Sequence, residues 1–281
     1  MGALPILVGL FGAFIGSFLN VVVFRVPHKL SVVSPPSACP RCGARIKPWQ
    51  NIPVLSWLLL RGSCAACRAP ISLRYPLVEA GTALFFGVVT WWWVASGAAA
   101  PLAELGASSA EIASSLLFLL AFLYLAAITV SLALIDLDHQ LLPNSIVLPS
   151  YLVAGLLLAE SAALTGGYRA LLGAAIGGAA LFAFYFVLAL IAPRGMGMGD
   201  VKLAGVLGLY LGYLGWGALI VGGFGAFLIG GLFGVVLIVL RKAGRKSGIP
   251  FGPWMLLAAW LGIFFGENLW AGYLSLFGLA S

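Results

Sequence analysis

Three aspartates and four cysteines carry most of the chemical potential of this chain. Asp200 ends the stretch "RGMGMGD" (194–200), in which three glycines and two methionines precede a single acid. Asp136 and Asp138 lie in "IDLDHQLLPN" (135–144). Two carboxylates brought within hydrogen-bond reach share a proton rather than both ionising. The ionised one draws a proton from water, which attacks a carbonyl. The protonated one polarises that carbonyl and then serves the leaving amine. Such a pair does aspartyl-protease chemistry. Asp200 paired with Asp136 or with Asp138 would supply it, and spacing does not choose between the two. The bland reading of Asp200 is a helix N-cap in a glycine link.

The residues around these acids divide similarly. Gly197 and Gly199 let backbone approach a substrate closely and permit positive φ just before a helix. Lys202 is either a charge that sets topology or a holder of an anionic substrate group. His139 reads as part of a solvated loop, and Asn144 as the N-cap of the helix that follows Pro143.

The cysteines form a second constellation. Cys39 and Cys42 in "CPRC" and Cys64 and Cys67 in "CAAC" are two C-x-x-C knuckles, the pattern of a tetrahedral four-thiolate zinc site. A segment of about 50 residues builds little core, so metal binding would supply folding energy. Redox pairs are the alternative, and a cytoplasmic location argues against them. Between the knuckles, "PWQNIPVLSWLLLRGSC" is too apolar for a free loop. It reads either as the filling of a zinc domain or as an interfacial element.

The elements that must position these groups are membrane helices. Of 281 residues, 62% are hydrophobic and 8% charged, against about 25% charged in soluble domains. Apolar runs place about eight spans near 3–25, 77–97, 113–135, 145–164, 170–192, 201–215, 217–240 and 254–277. The sixth is short, and 201–240 is hard to divide. The first run has no basic residue ahead of Arg25 and is read as a retained helix rather than a signal peptide. All basic residues but Arg169 fall on one side of this arrangement, which makes that side cytoplasmic. The net charge of +7 therefore marks topology and not nucleic-acid binding. Both aspartate-bearing segments come to the cytoplasmic ends of their helices. The fold expected is an all-α polytopic membrane protein, a single membrane domain over 1–281 with a small cytoplasmic insert at 27–75. Gly173/Gly177 and Gly230/Gly234 have the spacing of close helix contacts. Glu160 and Glu267 read as lying towards outer helix ends.

These motifs together resemble the bacterial type IV prepilin peptidases, the GxGD class of membrane aspartyl proteases. The resemblance runs through "GSFLNVVVFRVP" (16–27), the tetracysteine segment 35–79, "IDLDHQLLPN", "GMGMGDVKL" (195–203) and "PFGP" (250–253). It implies that Asp136 and Asp200 are the catalytic pair and that Asp138 is not. It also implies that Cys39, Cys42, Cys64 and Cys67 are the tetracysteine motif of the bifunctional members. Asn144 departs from the pattern, since many relatives have Asp there, and the stretch from Pro27 to Cys39 is shorter than in some. The implied activity is removal of the basic leader of type IV prepilins or type II secretion pseudopilins. Cleavage falls after a glycine at the cytoplasmic edge of the bacterial inner membrane. N-methylation of the new N-terminus with S-adenosylmethionine follows. No methyl-donor motif is visible, and that activity attaches to 27–79 only through the resemblance. Two other classes stay open on residues alone: an ion or proton transporter using an aspartate relay, and a zinc-bearing scaffold without chemistry. Oligomeric state is not legible.

Overall fold

The computed structural model describes residues 2–192, 196–240 and 250–278, without the side chains of Leu237 and Ile238. Arg194, Gly195, Arg241, Lys242, Arg245 and Lys246, which contribute to the charge asymmetry and the glycine link, lie outside the described residues. Among these residues the regular structure is helical: α1 (Leu4–Arg25), α2 (Leu55–Leu59), α3 (Arg74–Ala95), α4 (Ser109–His139), α5 (Asn144–Thr165), α6 (Tyr168–Ile191), α7 (Met198–Leu214), α8 (Trp216–Val239) and α9 (Gly252–Ser275). Seven helices are long and apolar enough to cross a membrane. The eighth expected span is α7, with 17 residues. Gly215, at φ 141°, divides it from α8 and resolves the ambiguous 201–240 region.

Helix ends follow local chemistry. Ser108 accepts the Glu111 backbone N–H while the Glu111 carboxylate accepts the Ser108 N–H, a reciprocal cap that starts α4. Nothing breaks the pattern until Gln140 turns left-handed at φ 50°, so α4 runs four residues beyond the expected end and carries Asp136 and Asp138 within it. His139 is its last residue rather than part of a loop. Pro143, not Asn144, caps α5; proline's fixed φ suits the entry, and the Asn144 side chain is used elsewhere.

The chain forms two compact units. The first comprises Met1–Gly106 and Phe122–Ser131. Its centre is the α1–α3 pair, where Gly9, Gly12 and Gly16 let α1 approach α3. A methyl group on Gly16 would stand 2.8 Å from the Cα of Glu79, and one on Gly9 3.0 Å from the carbonyl of Ala83. Small residues are how helices meet in lipid, where no hydrophobic effect drives them together.

The second unit comprises Ala107–Ala121 and Leu132–Ser281. Its most enclosed element is α7, with ten buried residues, packed by α5, α6, α8 and α9. Gly173 and Gly177 of α6 meet Gly208 and Gly212 of α7 backbone to backbone. Gly230 instead faces the Trp254 ring, and the close α8–α9 contact runs through Ala218, Gly222, Gly262 and Gly266. Glu267 does not merely decorate a helix end: its carboxylate accepts the N–H groups of Gly217 (3.1 Å) and Ala218 (3.3 Å) at the start of α8. Ser114 and Ser161 each donate to the other's carbonyl, joining α4 to α5.

Candidate active site and metal site

In the second unit the acid-bearing segments come together. Asp136 stands in the last turn of α4 with 5% of its surface exposed, whereas Asp138 is exposed. One Asp136 oxygen accepts the backbone N–H of Gly252 at 3.0 Å. Gly252 is the first residue of α9, where an N–H has no intrahelical partner and the helix dipole favours an anion. Pro253 follows in the first turn, where a missing N–H is harmless. Asp200 lies in the first turn of α7, and its Oδ2 accepts the Gly197 N–H at 3.0 Å. Each acid is thus held at a helix N-terminus, and the two are close enough to interact electrostatically.

Leu142 helps set the spacing. It is buried against the positions a β-carbon would take on both Gly199 (3.0 Å) and Gly252 (3.2 Å), so one side chain touches the segments carrying both acids. The glycines therefore work differently from the expectation. Gly197 is extended at φ −84°, and Gly199 is already helical, so neither needs positive φ. Gly199 is required for space beside Leu142. Asp200 is not the N-cap, which is Gly197; it is the third residue of the helix and its carboxylate reaches back to the Gly197 N–H.

Lys202 donates to the Asn144 side chain at 3.0 Å, and its carbonyl accepts the Tyr151 hydroxyl at 2.6 Å. Tyr151 occupies the space in front of Gly205 that any side chain there would fill. Tyr185, also buried, donates to the Gly223 carbonyl at 3.2 Å and lies within electrostatic reach of Asp200. Its ring packs with Phe227 and Phe251. Sequence reasoning missed Leu142, Tyr151, Tyr185 and the Gly252 N–H. The last was signalled only by the bare string "PFGP".

In the first unit the four cysteine sulfurs lie within 4.8 Å of one another. Cys39 and Cys67 sulfurs are 3.8 Å apart, about the edge of a tetrahedron with metal–sulfur bonds near 2.3 Å and well beyond a disulfide bond. The two knuckles are near copies. Cys39 N–H donates to Ala44 and Gly43 N–H to Cys39; Cys64 N–H donates to Ala69 and Arg68 N–H to Cys64. The residue after each second cysteine, Gly43 or Arg68, is left-handed. Backbone N–H groups of Cys42 and Arg41 turned on the Cys39 sulfur lower its pKa to about 6, and those of Cys67 and Ala66 lower that of Cys64. The Ala44 N–H acts the same way on Cys42, but hydrogen bonding with Cys67, together with desolvation and Cys39, raises it to about 11.

Family models match both units. Residues 10–93 match the bacterial peptidase A24 N-terminal domain, and residues 121–237 match the type IV leader peptidase family. A prepilin leader peptidase/N-methyltransferase of Pseudomonas aeruginosa is 35% identical over 96% of this chain and 93% of its own length. Proteins of the same name from Stutzerimonas stutzeri (34%; 94% of this chain, 91% of that protein) and Aeromonas hydrophila (37%; 96% and 94%) are similar throughout. The chain belongs to the type IV leader peptidase family. It is a leader peptidase with methyltransferase activity, a multi-pass bacterial inner-membrane protein whose substrates are prepilins. The comparisons give the transporter reading no support. No solved structure matches.

Proposed function

We propose that Asp136 and Asp200 are the catalytic pair of this leader peptidase. The observation that carries the reading is the burial of Asp136 against the Gly252 N–H, within electrostatic reach of Asp200 at the start of α7. In this reading one carboxylate is ionised and takes a proton from the attacking water. The other holds the shared proton, donates it to the scissile carbonyl, and the pair returns a proton to the leaving amine. The Gly252 N–H fixes the Asp136 carboxylate, and the Gly197 N–H fixes that of Asp200. Gly197 presents bare backbone to the substrate, Gly199 lets that segment seat against Leu142, and Lys202, tethered to Asn144, adds positive charge beside it. The cut falls after a glycine at the cytoplasmic membrane edge, in prepilins and type II secretion pseudopilins.

Residues 27–75 form the cytoplasmic insert, and Cys39, Cys42, Cys64 and Cys67 hold structural zinc. Four thiolates leave zinc no open position, so its contribution is folding energy. The methyl donor is S-adenosylmethionine.

Cleavage of a purified prepilin in detergent tests the pair. Asp136→Asn and Asp200→Asn are expected to be inactive while folded, and Asp138→Asn active. An active Asp136→Asn beside an inactive Asp138→Asn would reassign the first acid.

A further inference from the structure

The first unit holds an acid that the proposed mechanism does not use. Glu79 is the sole acidic residue among the first 103, in a stretch that carries eight arginines and lysines. It is buried on α3, and its Oε2 accepts the Val54 N–H at 2.7 Å. Val54 has φ 62° and ψ −51°, a conformation that a β-branched residue adopts only when its surroundings impose it. The hydrogen bond therefore holds a strained turn, and that turn starts α2.

The depth of the turn is fixed by the helix it binds. Glu79 is the sixth residue of α3, about 7.5 Å along the axis from Arg74 at 1.5 Å per residue. The segment between the cysteine knuckles thus dips alongside the first turns of a membrane-crossing helix, level with the exposed Leu77. Within α2, Trp57 turns inward: its indole N–H donates to Ile71 (3.1 Å) and its ring covers Gly62. The leucines turn the other way, with Leu55 and Leu58 each 57% exposed and Leu59 77%. They do not fill the cysteine domain. Arg45, Lys47, Arg61 and Arg68 flank the segment and are exposed.

We propose that α2 is an interfacial membrane anchor, with Leu55, Leu58 and Leu59 in the acyl–headgroup boundary and Glu79 as the latch that holds it there. Basic residues around an apolar face suit anionic headgroups, and a five-residue helix is too short to do more than lie in the interface. The anchor fixes the height of the tetracysteine loop against the bilayer.

The test uses full-length protein in nanodiscs of phosphatidylethanolamine and phosphatidylglycerol, with photoreactive benzoylphenylalanine at Leu58 or Leu59. Leu84 of α3, 70% exposed, is the lipid-facing reference, and the exposed Glu104 the aqueous one. Lipid adducts at α2 should approach the Leu84 yield and exceed that of Glu104 by about fivefold or more. Glu79→Ala should lower the α2 yield with Leu84 unchanged, and Glu79→Gln, which keeps an acceptor oxygen, should retain it. Yields at Leu58 and Leu59 no higher than at Glu104 overturn the anchor. With a prepilin incorporated in the same nanodiscs, prepilin adducts in place of lipid adducts also overturn it, by assigning the face to the substrate's helix. Unchanged α2 adducts in Glu79→Ala overturn the latch.

Discussion

The cysteine cluster and the aspartate site are built on opposite plans. Each cysteine knuckle is a local object: its hydrogen bonds close over about five residues, and its sulfurs are exposed or half-exposed. The acid site is assembled from afar. Asp136 and the Gly252 N–H that holds it are 116 residues apart, and both are buried. The first arrangement gains its rigidity from four sulfurs converging on one point, the second from helices packed through glycines. Chemistry held by short loops needs a ligand to order it, whereas chemistry held by helix ends needs only the packing around it.

The largest effect that separates the two is loss of either acid. Asp136→Asn or Asp200→Asn should reduce prepilin cleavage on the order of 10,000-fold, because a pair acting as a unit loses nearly everything with one member. Methylation of a pilin supplied already cleaved should persist in both variants. Mass spectrometry of the pilin N-terminus reads both activities in one sample. Loss of methylation along with cleavage would break the division between the regions.

The converse variant is nearly as severe. If the cysteines hold the zinc proposed above, its removal by a chelator takes away a binding free energy of about 10–16 kcal/mol, most of what orders such a loop, and Cys39→Ser takes away part of it. Methyl transfer should fall to background while the acid pair still cleaves. Metal content and the two activities, measured together, check it.

The same contrast explains what the sequence revealed. C-x-x-C spacing is a local signal, so the four cysteines were legible as a cluster before any fold was known. Helix existence was legible too, since hydrophobic runs of membrane length have few other uses. Asp136 and Asp138 are two residues apart in one motif, and their different burial depends on which face of α4 meets α7 and α9; no local pattern records that, and only the resemblance chose. The positive φ expected of Gly197 and Gly199 was a local explanation for glycines whose reason is partly distant: Leu142, from another segment, occupies the space beside Gly199. Lys202 and Asn144, 58 residues apart, could not be paired by eye. The apolar run between the knuckles was ambiguous because filling and interface use the same residues; only the outward turn of the α2 leucines separates them.

A smaller effect probes how far the acid site depends on packing alone. A β-carbon on Gly252 would stand 2.7 Å from Asp136 Oδ2, closer than real contacts allow, and a tight 3.2 Å from Leu142. Gly252→Ala keeps the N–H donor but moves the carboxylate. A displacement near 1 Å costs on the order of 100-fold in rate, so cleavage should drop by about that factor with the protein folded. Gly43→Ala, in the other region, meets nothing within 4 Å but is strained at φ 69°; that strain should stay in its own knuckle and leave cleavage unchanged. Equal losses from the two substitutions would show that the regions are not independently held.

The smallest effect is a gain, and it tests the likeness between the knuckles. Gly43 and Arg68 hold the same place after the second cysteine of each pair, at φ 69° and 59°. Only the first is a residue that adopts this conformation without steric cost; an L-residue there costs about 1–2 kcal/mol. Arg68→Gly removes that strain but also loosens the unfolded chain, which gives back part of the gain. The net expectation is a stabilisation of about 0.5–1 kcal/mol, read as greater resistance of zinc loaded on the four cysteines to a competing chelator. Cleavage should not change. A weakened metal site instead would mean that the Arg68 side chain contributes more to its knuckle than its backbone costs, and the two knuckles would then differ in how they are held despite their matching hydrogen bonds.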